Sequence, residues 1–255
     1  MQLHFEVEGA GQPLIILHGL LGSCQNWRTQ KKLFSKSYQV FALDLRNHGR
    51  SPHSESFNLQ VMAEDLRQFM EQHALSTAHL LGHSLGGKVA MQFAANQPER
   101  VGKLIFVDIA PKAYKGEHGA ILEAMESLDL KVLRSRVEAD AALAPKISEP
   151  SMRHFLLKNI ARDEKGRLQW GIGLNAISKN YHETIKGVAL TRPLVKPTLF
   201  IKGENSQYIE EKDIPAVKRV FPRAEVVTIA GAGHWVHIDA PDKFHSVVLT
   251  FLSRN

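Results

Sequence analysis

The chain has 255 residues, 44% of them hydrophobic, which suits one large core and disfavours disorder. The net charge of +6 raises nucleic acid as a partner, but the surplus sits mostly between Lys112 and Lys196, where 15 Lys and Arg face 10 Asp and Glu in no continuous run; that is a solvated face, and no nucleic-acid partner is expected. No stretch of about 18 apolar residues exists, the N-terminus MQLHFEVEGAG has no signal-peptide pattern, and the single Cys24 closes no disulfide, so a cytoplasmic protein without membrane insertion is expected.

Short apolar runs alternating with longer amphipathic ones predict a parallel sheet with crossover helices. Strands are expected at Leu3 to Glu8, Leu14 to Leu17 and Tyr38 to Asp44. Asn58 reads as an N-cap, and Met62, Leu66, Phe69, Met70 and His73 share one face of a helix running to about Ala74. Ala78 to Leu81 reads as a strand entering GHSLGGK, after which Val89, Ala90, Phe93 and Ala94 give a helix its apolar face until Pro98 stops it. Further strands follow at Val101 to Val107, Thr198 to Lys202 and Glu225 to Ile229, with a closing helix after Pro241. Between Pro111 and about Pro193 the pattern is helical, as in Ile121, Leu122, Met125 and Leu128, then Phe155, Leu156 and Ile160. The expected division is a core of residues 1–110 and 194–255 with a helical lid of residues 111–193 packed on the strand ends.

Gly82-His83-Ser84-Leu85-Gly86 is a G-x-S-x-G sequence between a strand and a helix. A nucleophile on such a sharp turn needs small neighbours, and the helix N-terminus favours developing negative charge beside Ser84. Leu17-His18-Gly19-Leu20-Leu21-Gly22 follows an early strand and can aim the Leu20 N–H at the same point, making an oxyanion hole with the N–H of Leu85. Gly231-Ala232-Gly233-His234-Trp235 follows the last strand, and its glycines let His234 curl back across the strand ends as general base. The orienting acid has two candidates, Asp108 at the end of the strand Leu104 to Val107 and Glu204 in the loop Gly203-Glu204-Asn205-Ser206; Asp108 is favoured. Gly82 to Lys88 also fits the opening of a P-loop, but Val89 stands where that loop needs Ser or Thr for magnesium.

HGLLGS, DLRNHGRS, GHSLGGK, VDIAP, GENSQY and AGAGHWVH occur in this order, and together they resemble the YbfF-type bacterial esterases, a branch of the α/β-hydrolases. The resemblance spans nearly the whole chain. It implies the α/β-hydrolase fold, a mostly parallel central sheet flanked by helices with an inserted helical lid, and a triad of Ser84, Asp108 and His234. It implies that Ser206, standing where other families keep the acid, lies beside the triad and assists through a hydrogen bond or water. The implied activity is carboxylesterase with action on acyl-CoA thioesters, whose phosphates the basic lid would hold, and Phe155, Leu156 and Leu157 would line an acyl channel. His83 and Trp235 would shape the pocket wall, while Asn47 and His48 read as structural turn residues. The partner expected is a small ester or thioester, and the chemistry needs no metal or organic cofactor. The alternatives are a related lyase or a ligand receptor on the same scaffold; epoxide hydrolases and dehalogenases need a carboxylate where Ser84 stands. Nothing in the sequence sets the oligomeric state.

Overall fold

The computed structural model describes residues 1–254. Its strands are β1 (Phe5–Glu8), β2 (Pro13–Leu17), β3 (Gln39–Leu43), β4 (Ala78–His83), β5 (Val101–Val107), β6 (Ile160–Arg162), β7 (Leu168–Trp170), β8 (Thr198–Gly203) and β9 (Ala224–Ile229). Among the described residues, seven of them form one sheet in the order β1-β3-β2-β4-β5-β8-β9, with only β1 antiparallel to its neighbour. The first strand begins at Phe5, two residues later than expected, and β4 runs on to His83, so that Ser84 leaves the sheet directly at a strand end.

The apolar runs are explained by burial on both faces of the sheet. Ile15, Leu17, Leu80, Leu104 and Phe106 point into one core, and their neighbours Leu14, Ile16, Leu81, Ile105 and Val107 into the other. Helix α1 (Arg28–Phe34), which the sequence reading did not anticipate, buries Phe34 in the second core beside Phe244 and Val248 of the closing helix Pro241–Ser253. Helices α2 (Leu59–Gln72) and α3 (Leu85–Asn96) cover the first core through Met62, Leu66, Phe69, Val89 and Phe93. Asn58 caps α2 by accepting the Val61 N–H at 2.9 Å, and His73, which ends the helix, keeps to its apolar face, its ring packed on Phe69 and on Phe5 with centroids 4.5 Å apart in each pair.

Between β5 and β8 the chain leaves the sheet through the short helices Gly119–Glu126, Arg136–Leu143, Pro150–Leu157, Leu174–Lys179 and Tyr181–Thr184. It is not wholly helical. Ile160, read from periodicity as part of a helix with Phe155, instead pairs with Trp170 in a β6–β7 hairpin. Local turn chemistry overrides the period there: Asp163 accepts the N–H groups of Lys165 and Arg167 at 2.9 Å each, and Gly166 takes φ 77°. The excursion is tied to the strand ends by Asn159 Nδ2 donating to Leu21 O (2.9 Å), by the Gly173 N–H donating to Asn47 O (2.9 Å), and by Lys88 Nζ donating to Thr184 O (3.2 Å) and Lys186 O (2.7 Å). No helix among the described residues is long and apolar enough to cross a membrane.

Candidate active site

Ser84 is held at φ 50°, ψ −116°, a conformation that L residues seldom adopt and that persists only where surroundings impose it. The surroundings are backbone. A Cβ on Gly82 would lie 2.4 Å from Gly86 O, and one on Gly86 would lie 2.3 Å from Leu17 O, which is why the motif needs glycine at both places. The turn is pinned by the Ser84 N–H donating to Val107 O at 3.1 Å and the Lys88 N–H donating to Ser84 O at 3.2 Å.

Asp108, at the end of β5, is fully buried and also at positive φ (50°). Its carboxylate receives three donors: His234 Nδ1 at 2.7 Å, the Gly203 N–H at 3.2 Å and the Ser206 hydroxyl. A carboxylate oxygen accepting from the ring fixes the imidazole proton on Nδ1, leaving Nε2 as the acceptor. Glu204 points elsewhere, accepting the Gly231 N–H at 2.8 Å. Ser84 and His234 line one cavity, but among the described residues the Ser84 hydroxyl makes no hydrogen bond. Such contacts are often long before substrate orders them.

The Leu20 and Leu85 N–H groups have no acceptor among the described residues, the condition for receiving an oxyanion. Two neutral histidines hold the Leu20 loop: His18 Nε2 accepts the Leu45 N–H and His48 Nε2 accepts the Leu21 N–H, each at 3.0 Å. Asn47 pairs both ways with Ser54, at 2.7 and 2.9 Å, so Asn47 and His48 sit as structural turn residues. His83 Nε2 donates to His234 O at 2.9 Å, joining the serine turn to the histidine loop.

These rings are kept neutral by burial, which depresses His48 to about 3, His237 to about 3, and His79 and His118 to about 4, with His83 held well below the usual 6.5. Protonated His48 would also set N–H against N–H. Because the unfolded chain takes up these protons first, stability is complete above about pH 6.5 and falls as pH drops, by about 1.4 kcal/mol per pH unit for each histidine until its own folded value is reached, about 4 for His79 and His118 and about 3 for His48 and His237. Urea midpoints should therefore fall steeply between about pH 6.5 and 4.5, with His48→Gln lowering the slope by about one proton; a midpoint that ignores pH over this range contradicts the neutral-histidine account.

The cavity has a volume of about 920 Å³ and is lined by Ser84, His234 and all three pocket candidates, His83, Phe155 and Trp235. Phe155 and Trp235 pack with ring centroids 5.4 Å apart. Tyr208, which no motif argument singled out although it ends GENSQY, stacks on the His234 ring at 3.8 Å. His118 also lines the cavity, and no motif marks it because its only signal is spatial. Of the cations between Lys112 and Lys196, Lys158 alone borders this cavity, together with the carboxylates Glu117, Glu149 and Asp239. Others are spent on partners, as Arg153 is on Asp140 (2.9 Å) and Lys186 on Glu183 (2.6 Å).

Comparison with known proteins finds that the family described as alpha/beta hydrolase fold matches residues 12–241. The Xenopus laevis protein named sn-1-specific diacylglycerol lipase ABHD11 is 36% identical over 250 residues, covering 95% of this chain and 80% of that one. Esterase YbfF of Escherichia coli is 31% identical over 242 residues, covering 94% and 93%. Among solved structures, a marine microorganism esterase superposes with a TM-score of 0.96 at 43% identity, covering 98% of this chain and 99% of that one.

Proposed function

The chain belongs to the α/β-hydrolase family, in its YbfF-type branch, and from that premise we propose that it is a serine carboxylesterase. The observation that carries this reading is the 2.7 Å contact of Asp108 with His234 on the wall of the cavity that Ser84 also lines. Ser84 attacks the acyl carbonyl while His234 takes its proton, the Leu20 and Leu85 amides hold the oxyanion, and Asp108 stabilises the imidazolium. His234 then protonates the leaving group and activates water against the acyl-enzyme. Ser206 supports Asp108 through its hydroxyl, and residues 111–193 serve as the lid.

A thioesterase reading with acyl-CoA has the cation surplus of residues 112–196 in its favour. Distance weighs against it. Exposed charges beyond about 8 Å are largely screened at physiological salt, so on the wall itself the three carboxylates Glu117, Glu149 and Asp239 stand against the single cation Lys158 and favour a neutral leaving group. A fluorophosphonate should label Ser84, which an inert receptor would not allow. With labelled and unlabelled enzyme in hand, kcat/KM for acetyl-CoA should be about tenfold or more below that for an uncharged acetyl thioester, with the gap closing as salt is raised. Equal rates on the two, or a preference for acetyl-CoA, would instead assign acyl-CoA hydrolysis.

A further inference from the structure

Two cavities meet at Ser84. The larger, about 920 Å³, is walled by His234, Trp235 and Phe155; the smaller, about 40 Å³, is walled by Leu85, Ile109, Tyr114, Tyr181 and Ile185 together with the polar Lys88, Lys115 and Thr184, and does not reach His234. Ser84, Leu20, His118 and Tyr208 border both.

Chemistry assigns the two spaces. In the tetrahedral intermediate the carbonyl carbon carries the serine oxygen, the oxyanion, the acyl chain and the leaving group. His234 must hand its proton to the leaving group, so the leaving group lies on the His234 side, in the larger cavity. With the oxyanion turned to the Leu20 and Leu85 amides, the acyl chain is left with the direction away from His234. Resting on the serine-esterase reading above, we infer that the small cavity is the acyl pocket and that it restricts this enzyme to esters of short acids, about two to four carbons, carrying bulky leaving groups.

Size sets the limit. A water-sized group needs about 10–15 Å³ of such space, so this pocket takes about three, whereas an octanoyl chain brings about seven beyond its carbonyl. The walls are not free to yield. Tyr114 Oη accepts the Ala110 N–H at 2.8 Å and donates to Tyr208 O at 2.9 Å, while Tyr181 Oη accepts the His118 N–H at 3.1 Å. Lys88, one turn along the helix from Ser84, ties the far wall through its bonds to Thr184 O and Lys186 O. Phe155 and Leu156 thereby fall on the leaving-group side, not along the acyl channel that the family resemblance implies.

The test is kcat/KM on p-nitrophenyl acetate, butanoate and octanoate, read as the octanoate-to-acetate ratio in the wild type, in Ile185→Ala and in Phe155→Ala. Ile185 is only partly buried, so its truncation opens the small cavity without emptying the core. The wild-type ratio should be about 100-fold below unity, since even one surplus methylene in a filled pocket costs about tenfold or more. Ile185→Ala should raise the ratio about tenfold or more, and Phe155→Ala should leave it as in the wild type. A wild type that hydrolyses octanoate as fast as acetate overturns the assignment, as does a ratio that responds to Phe155→Ala and not to Ile185→Ala. If no ester is hydrolysed and a fluorophosphonate leaves Ser84 unlabelled, the serine-esterase reading itself falls, which is a different result from a labelled, active enzyme with a flat chain-length profile.

Discussion

Ser84→Ala is expected to lower kcat for p-nitrophenyl acetate about a million-fold while leaving the melting temperature nearly unchanged. The size follows from the triad acting as a unit: without the hydroxyl there is no acyl-enzyme, and His234 and Asp108 have no proton to move. Removing His234 as well should therefore cost little more, and the residual rate should be that of the unreplaced amides and the binding walls. The fold survives because alanine inherits the same backbone at φ 50°, pinned by Val107 O and Lys88 N, and adds no bulk. Stopped assays with active-site titration check both halves. Near-normal turnover by folded Ser84→Ala protein would reject the mechanism outright.

The second large effect separates the two acids. Asp108→Asn is expected to cost about ten thousand-fold in kcat, and Glu204→Gln about twofold at most. The amide is nearly isosteric, yet it cannot accept from Gly203 N, Ser206 Oγ and His234 Nδ1 together, and the NH2 it turns toward the ring forces the proton onto Nε2. With Nε2 protonated, the Ser84 hydroxyl has no base. Glu204 only receives the Gly231 N–H at the exposed edge of the histidine loop, so glutamine there keeps the same bond through its carbonyl oxygen. If Glu204→Gln proved the crippling change, the acid would have to be reassigned despite the 2.7 Å contact at Asp108.

Strands β2 to β5, β8 and β9, the helix faces of α2 and α3, and the three glycine-bearing loops were legible because their causes are local. Two-sided burial writes itself as a run of Val, Ile and Leu, and a sharp turn demands glycine within two residues of the strained position. Periodicity failed where local signals compete, as at Ile160, where the Asp163-to-Gly166 turn makes a hairpin of a segment that scans as helix.

The amino-acid sequence by itself determined the order of the sheet strands and of α2 and α3, the strained serine turn and the candidates for the nucleophile, base and acid. What only the tertiary structure decided is which groups meet: Asp108 reaches His234 across 126 positions and Ser206 across 98, because β8 pairs with β5 on one side and β9 on the other. It likewise decided that Tyr208 stacks on the imidazole, that His18 and His48 brace the Leu20 loop, and that a small and a large space part at Ser84. Backbone angles and hydrophobic period are set within a few residues, whereas cavity shape and charge pairing are sums over distant segments that exist only once the sheet register is closed.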